Sequence, residues 1–178
     1  MKTRKNNIIK YTTILILTGL CLMNCSAESK TFSDGYTDIH KLIEDFSEAV
    51  FKNDRDTVTK LLVNRKEYRK LIHPFVPEGD MKHGGMKADE FWRTFIVQRR
   101  DAVIGGYLSR SKDFSCKLVK IGVPKKVVEY PGKLKFHREY EITYTCENSN
   151  GQTESDQRLF GVIAEKSGKY KVLNSFGD

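Results

Sequence analysis

Histidine, cysteine, carboxylate and phenol side chains are the groups here that could bind or react, and their spacing limits the chemistry. His73, Asp80 and His83 are the one cluster of metal-ligand type. A metal site needs three or four groups converging at fixed distances, and this spacing matches no such pattern. The cluster reads instead as a solvated loop with His73 closing a helix, and no metal or cofactor is expected. The chain has no serine nucleophile elbow, phosphate loop, dinucleotide fingerprint or His-Glu-x-x-His string. Serine hydrolase, nucleotide-binding and zincin chemistry therefore drop out, and no catalytic residue is assigned.

The four cysteines are more informative: Cys21, Cys25, Cys116 and Cys146. The first two close a leader. Lys2, Arg4, Lys5 and Lys10 precede an apolar run from Tyr11 to Met23 that contains no acidic residue. A membrane span needs roughly 20 apolar residues, so this shorter run reads as an export signal over residues 1–24. It ends in Leu22-Met23-Asn24-Cys25. That tetrapeptide resembles the lipobox of exported bacterial lipoproteins, and Asn before the Cys resembles the relaxed spirochaete-type pattern. The resemblance implies cleavage before Cys25 and a lipid on its sulfur and amine. It also implies a place in the bacterial envelope, at the periplasmic face or the outer membrane. Cys21 follows Gly19-Leu20, and the bulky Leu beside the scissile bond fits such processing poorly. Plain secretion and retention of the leader are the alternatives. Residues 25–35 are polar and small and read as a tether.

About 150 residues remain, one ordinary domain. The leader removes 4 of the 31 basic residues and none of the 23 acidic ones, so 27 against 23 leaves +4. That mild excess excludes the basic block expected of a nucleic-acid protein.

Within residues 36–178, apolar positions first recur at helical spacing. Ile39, Leu42, Ile43, Phe46, Ala49 and Val50 share one face. Asp54 is placed to cap a short second helix burying Val58, Leu61 and Leu62. Asn64 and Glu67 form a capping pair for a third, bounded by Pro74 and Pro77. Glu78 to Lys87 reads as a loop. A longer helix is expected from Ala88 to about Gly105, burying Phe91, Trp92, Phe95, Ile96, Ala102 and Val103. From Phe114 the period changes to two. Leu134, Phe136, Tyr140, Ile142, Tyr144 and Cys146 alternate with polar residues on one long strand, and Arg138 interrupts that face. Asn148 to Gly151 is a turn. Leu159 to Ala164 is apolar on both faces, as in a central strand. Ser167-Gly168 leads into the last strand, Tyr170 to Leu173. Helices first and a strand meander afterwards predict an α+β fold, with helices on one face of a curved antiparallel sheet.

That meander bears on the remaining cysteines. If Tyr130-Pro131-Gly132 is a three-residue loop, Glu129 faces Lys133, and the same register sets Cys116 opposite Cys146. Facing cysteines on one sheet face lie within disulfide range. A bulge between loop and Cys would turn the two to opposite faces, and Gly122 and Pro124 are possible bulge sites. The alternative is two buried thiols acting as small apolar residues.

The order of elements resembles the nuclear transport factor 2-like, cystatin-like cone over about Tyr36 to Phe176. The features that carry it are Asp38-Ile39-His40-Lys41-Leu42-Ile43-Glu44-Asp45-Phe46 through Asp54 to Leu62, Leu71 to Pro77 with Phe91-Trp92, and the closing strands ending in Tyr170-Lys171-Val172-Leu173. The chain also resembles uncharacterised exported proteins of that superfamily. The resemblance implies a conical pocket between sheet and helices, where enzymes of the superfamily place carboxylates, His and Tyr. It also implies dimerisation through the sheet as a possibility. No motif match carries a catalytic residue across. On the predicted inward phase stand Tyr140, Ile142 and Tyr144, while His137, Glu139 and Glu141 fall on the outward phase. Trp92, Tyr140 and Tyr144 are the candidate pocket residues, as ligand-orienting groups or as core aromatics. Lys117, Lys133, Lys135, Lys169 and Lys171 are a candidate basic face, for anionic lipid or glycan or as a solubilising surface.

The expectation is thus a lipid-anchored envelope protein, attached to the membrane through Cys25. Its domain would bind a small apolar ligand or a protein partner. The rivals are an isomerase- or dehydratase-type enzyme and a surface protein contacting host or envelope molecules through the Lys face.

Overall fold

Three local capping patterns set the helical half. A helix leaves its first N–H groups without partners, and an Asp or Asn just ahead of it supplies them. The computed structural model describes residues 31–77, 86–98, 100, 101, 104, 105 and 114–176. The Asp38 carboxylate accepts from the His40 and Lys41 N–H groups at 2.8 and 3.2 Å and opens α1 (Ile39–Phe51). Leu42, Ile43, Phe46, Ala49 and Val50 of α1 are buried as the spacing predicts. Asp54 accepts from Thr57 and opens α2 (Arg55–Leu61). Asn64 and Glu67 close a reciprocal capping box on α3 (Arg65–Glu67).

Beyond α3 the chain widens into a π turn over Tyr68–Ile72 and tightens into a 3₁₀ turn over His73–Phe75. α4 (Ala88–Phe91) starts where expected and passes into a second π turn, Trp92–Val97. The two π turns meet: Tyr68 lies 5.3 Å from Trp92 and stacks on Phe91 at 6.1 Å, centroid to centroid. Asp80 and His83, and the expected burial of Ala102 and Val103, lie outside the described residues.

Among the described residues four antiparallel strands follow in sequence order: β1 (Phe114–Tyr130), β2 (Leu134–Asn148), β3 (Thr153–Lys166) and β4 (Lys169–Phe176). The α+β expectation and the meander both hold. The loop between β1 and β2 is Pro131-Gly132-Lys133, one residue later than expected, so Glu129 faces Lys135 rather than Lys133. Two irregularities, between Ile121 and Pro124 and between Leu118 and Lys120, each insert one extra residue on β1. Together they cancel the offset, and Cys116 does stand opposite Cys146, joined to it by a disulfide. The expected pair is present in the expected local register, although the register at the hairpin end differs.

The sheet does not take its helices on one face. Ile163 and Val172 pair with each other and belong to one apolar layer, with Leu42, Phe46 and Leu62. Ala164, the next residue, belongs to a second layer with Tyr68, Trp92, Leu134 and Phe136. Successive strand residues point to opposite faces, so the two layers lie on opposite sides of β3 and β4. α1 and α2 cover one side, and the π turns with α4 cover the other. β3 is central and doubly covered, as its apolar run predicts.

One break in alternation then switches the faces along β2 and β3. Phe160 and Ile163 are three apart yet both serve the first layer. Between them Gly161 lies across from Glu139, whose φ is +59°. The irregularity expected at Arg138 is therefore one residue further on, and it shifts no register between β2 and β3.

The start of the domain also differs. Phe32, expected in the tether, is fully buried in the second layer. The Thr31 hydroxyl donates to the Lys166 carbonyl at 2.7 Å, and Tyr36 pairs with Tyr170. A single aromatic in a polar stretch carries no periodicity, so nothing local marked it as core.

Cys116 and Cys146 enclose a separation of 30 residues, and opening such a loop removes about 3–4 kcal/mol of stability. Alkylation of the unfolded, unreduced protein, mapped by peptide mass, is expected to leave both unmodified. Cys146→Ser is expected to lower unfolding free energy by about that amount in urea.

Candidate functional site

The three candidate pocket residues are packed rather than open. Trp92, Tyr140 and Tyr144 are 7, 3 and 3 % exposed. Tyr144 takes the Phe51 ring edge-on at 5.4 Å, and Phe46 does the same to Phe160. Burial pushes the Tyr140 phenol up to about 12, with the nearby Tyr170 and Glu165 adding to the shift. The two tyrosines and Trp92 do not converge on one space, because Trp92 belongs to the opposite layer from Tyr140 and Tyr144.

Beside Trp92 lies a charged centre that sequence reasoning missed. The Lys171 ammonium is 3.0 Å from Glu67 Oε1 and donates to Oε2 at 3.3 Å. Both side chains are buried. Arg100 donates from Nε to the Leu173 carbonyl at 3.0 Å, and its guanidinium lies 4.9 Å over the Trp92 ring. Burial lowers the Arg100 pKa to about 10, which leaves it charged at neutral pH. Glu67 thus caps α3 with one oxygen and ties it to β4. The centre clamps helix to sheet. The signal that could have found it is Glu67 at a capping-box position one residue before a buried Tyr.

The break at Glu139 also relocates His137. It was expected to face outward, away from Tyr140. Instead it pairs in register with Ile163 and lies on the same side as Tyr140. Its Nε2 is 2.8 Å from Glu165 Oε2, both side chains are about 15 % exposed, and Tyr170 meets its ring edge-on at 5.7 Å. Among the described residues, no three His, Cys, Asp or Glu side chains gather as a metal site.

The five lysines do not form one face. Lys171 is buried against Glu67, on the opposite side of the sheet from Lys135. Lys135 pairs with Glu129 at 2.6 Å. Lys133 sits in the hairpin loop, and Lys117 near the far end of β1. Lys169 shares Lys171's phase at the hairpin end. Alternation does set Lys169 and Lys171 on one side of β4, but that side is covered and buries Lys171.

An open cleft of about 550 Å³ lies elsewhere, between α1 and β1. α1 contributes His40, Lys41, Glu44, Glu48, Phe51 and Lys52. β1 contributes six successive residues, Cys116 through Ile121. Successive residues point to alternate faces, so the cleft follows the edge of the strand rather than one face. Among the described residues β1 pairs with β2 alone, and its outer edge carries unpaired peptide groups. Among the described residues, the large exposed apolar side chains are all on this strand: Phe114, Val119, Val123 and Val127. The disulfide pins the strand at the cleft's end.

Comparison with known proteins finds no matching family model, no matching curated protein and no matching solved structure.

Removing one member of a buried ion pair strands the other. Lys171→Met is expected to cost about 3–5 kcal/mol in urea unfolding, and the double change Lys171→Met with Glu67→Gln to cost less than the single one.

Proposed function

We propose that this chain is an exported lipoprotein held at the bacterial envelope through Cys25, and that its domain binds a protein partner along the α1–β1 cleft. The observation that carries the reading is the position of the cleft relative to the anchor. Thr31 and Phe32 are fixed at the hairpin end of the sheet, where the Ser167 N–H also donates to the Lys133 carbonyl at 3.1 Å. Five residues separate Cys25 from Thr31, a reach of at most about 20 Å. The hairpin end then stands toward the membrane. The cleft lies at Cys116–Ile121, nine or more residues up β1 from Tyr130, or about 30 Å. It is presented away from the bilayer.

The filled layers around Trp92, Tyr140 and Tyr144 favour a polypeptide partner over a small apolar ligand. The helices-first order and the bulged, curved meander support a nuclear transport factor 2-like cone as the fold type, with the α1 side as its concave face. Lys133 and Lys169 at the hairpin end support headgroup contact near the anchor more than a separate Lys-rich recognition face. A second reading, an isomerase- or dehydratase-type enzyme, draws on His137 and Glu165. A partly buried imidazole–carboxylate pair beside two tyrosines is a general acid–base arrangement.

Fractionation of expressing cells tests the anchor. Cys25→Ala is expected to move the protein from the membrane to the soluble fraction. Equal membrane retention of variant and parent overturns the proposal.

A further inference from the structure

The cleft's lining specifies the chemistry of what it takes, and this inference rests on the cleft being the partner site. Lys117 pairs in register with Thr145, and Lys120 with Thr143. Thr145 and Thr143 are two apart, so they share a face, and so do the two lysines. The extra residue between Leu118 and Lys120 is what brings Lys117 and Lys120, three apart in sequence, onto one face. Their spacing along the strand is two rungs, about 7 Å. Both are exposed, and neither has an ion pair among the described residues. The other charges in the cleft are largely matched. Lys41 pairs with Asp45 at 2.7 Å and approaches Glu44 at 3.9 Å, and Lys52 pairs with Glu48. The opposite face of the same strand is apolar: Leu118 and Ile121 stand opposite Tyr144 and Ile142 and pack on the first layer beside Phe51.

We propose that the edge of β1 at Cys116–Ile121 takes an extended polypeptide segment in which acidic and apolar residues alternate, added as a fifth strand. An added strand repeats its side chains on one face every two residues, the spacing of Lys117 and Lys120. Carboxylates at alternate positions meet the two lysines, and the intervening apolar side chains meet Leu118, Ile121 and Phe51 under α1. Main-chain hydrogen bonds to the free edge supply affinity, and the alternation supplies specificity. A second copy of this chain fits poorly. β1 carries Lys117, Lys120, Lys125 and Lys126 against Glu129 alone, so self-pairing sets like charges together.

The test uses the full chain in detergent micelles and four fluorescein-labelled hexapeptides read by anisotropy. They are Val-Glu-Val-Glu-Val-Glu, its Gln and Lys counterparts, and the block peptide Glu-Glu-Glu-Val-Val-Val. The alternating acidic peptide is expected to bind saturably. The block peptide, of equal charge, is expected to bind about tenfold more weakly, as is the alternating peptide to the Lys117→Glu/Lys120→Glu variant. Both substitutions are at exposed positions, and circular dichroism checks that the fold is kept. Equal binding of the block peptide overturns strand addition and leaves mere charge attraction. Unchanged affinity in the double variant overturns the lysine assignment. If the Gln or Lys peptide binds in a manner lost on Val119→Arg while the acidic one does not, the cleft remains a partner site and this inference falls. If no peptide binds, both fall.

Discussion

Side chains on a β-strand alternate, so Leu134 and Phe136 can feed one layer and Tyr140, Ile142 and Tyr144 the opposite one only if that alternation is broken between them. Here the break is at Glu139 and Gly161. Left-handed backbone at a non-glycine residue costs about 1–2 kcal/mol. The return is that Tyr140, Ile142, Tyr144 and Phe160 meet α1 while Leu134 and Phe136 meet Tyr68 and Trp92. Fully burying one large apolar side chain is worth about 1.5–3 kcal/mol, so the strained residue is offset several times over. Without the break, α1 would lie on a polar face and its own apolar stripe would have no counterpart.

The second layer is held by charge as well as by apolar contact. Glu67 and Lys171 are joined across 104 residues of sequence, and Arg100 reaches the backbone of the same strand. Such a pair contributes little net stability over apolar packing, yet it fixes which strand meets which helix. Gly132 shows the same layer closing over the hairpin. Its φ is +71°, and an added Cβ would lie 2.5 Å from the Phe75 ring. The Lys166 ammonium sits on that ring at 3.4 Å, and burial lowers its pKa. Loop, ring and ammonium stack as one unit at the end where the chain enters the domain.

What was legible in the sequence was local. Asp38, Asp54 and the Asn64–Glu67 pair announce their helices because a cap is a property of four or five neighbouring residues. The change from helical to strand period at Phe114 is likewise local. What was not legible depended on long-range partners. The break at Glu139 leaves the polarity pattern of β2 intact, so His137 read as an outward residue. Lys171 read as surface because the carboxylate that lets it be buried, Glu67, comes from a distant element. The cysteine pairing was legible for an incomplete reason: a misplaced loop is compensated by two bulges, one in the Gly122–Pro124 segment that the sequence marks and one beside Val119 that it does not. The cleft was invisible because it is made by the edge of a strand, and edges follow from strand order rather than from residue type.

The two extra residues of β1 carry a consequence for how such a chain can change in length. Between Leu118 and Tyr130 the strand holds two more residues than the stretch of β2 it faces. Losing both would yield a straight, regular ladder with the cysteines still opposed. Losing one would turn Cys116 away from Cys146 and carry Lys117 to the other side of the strand. Insertions and deletions in this segment are therefore tolerated in pairs. A single one separates the covalent link from the fold it joins.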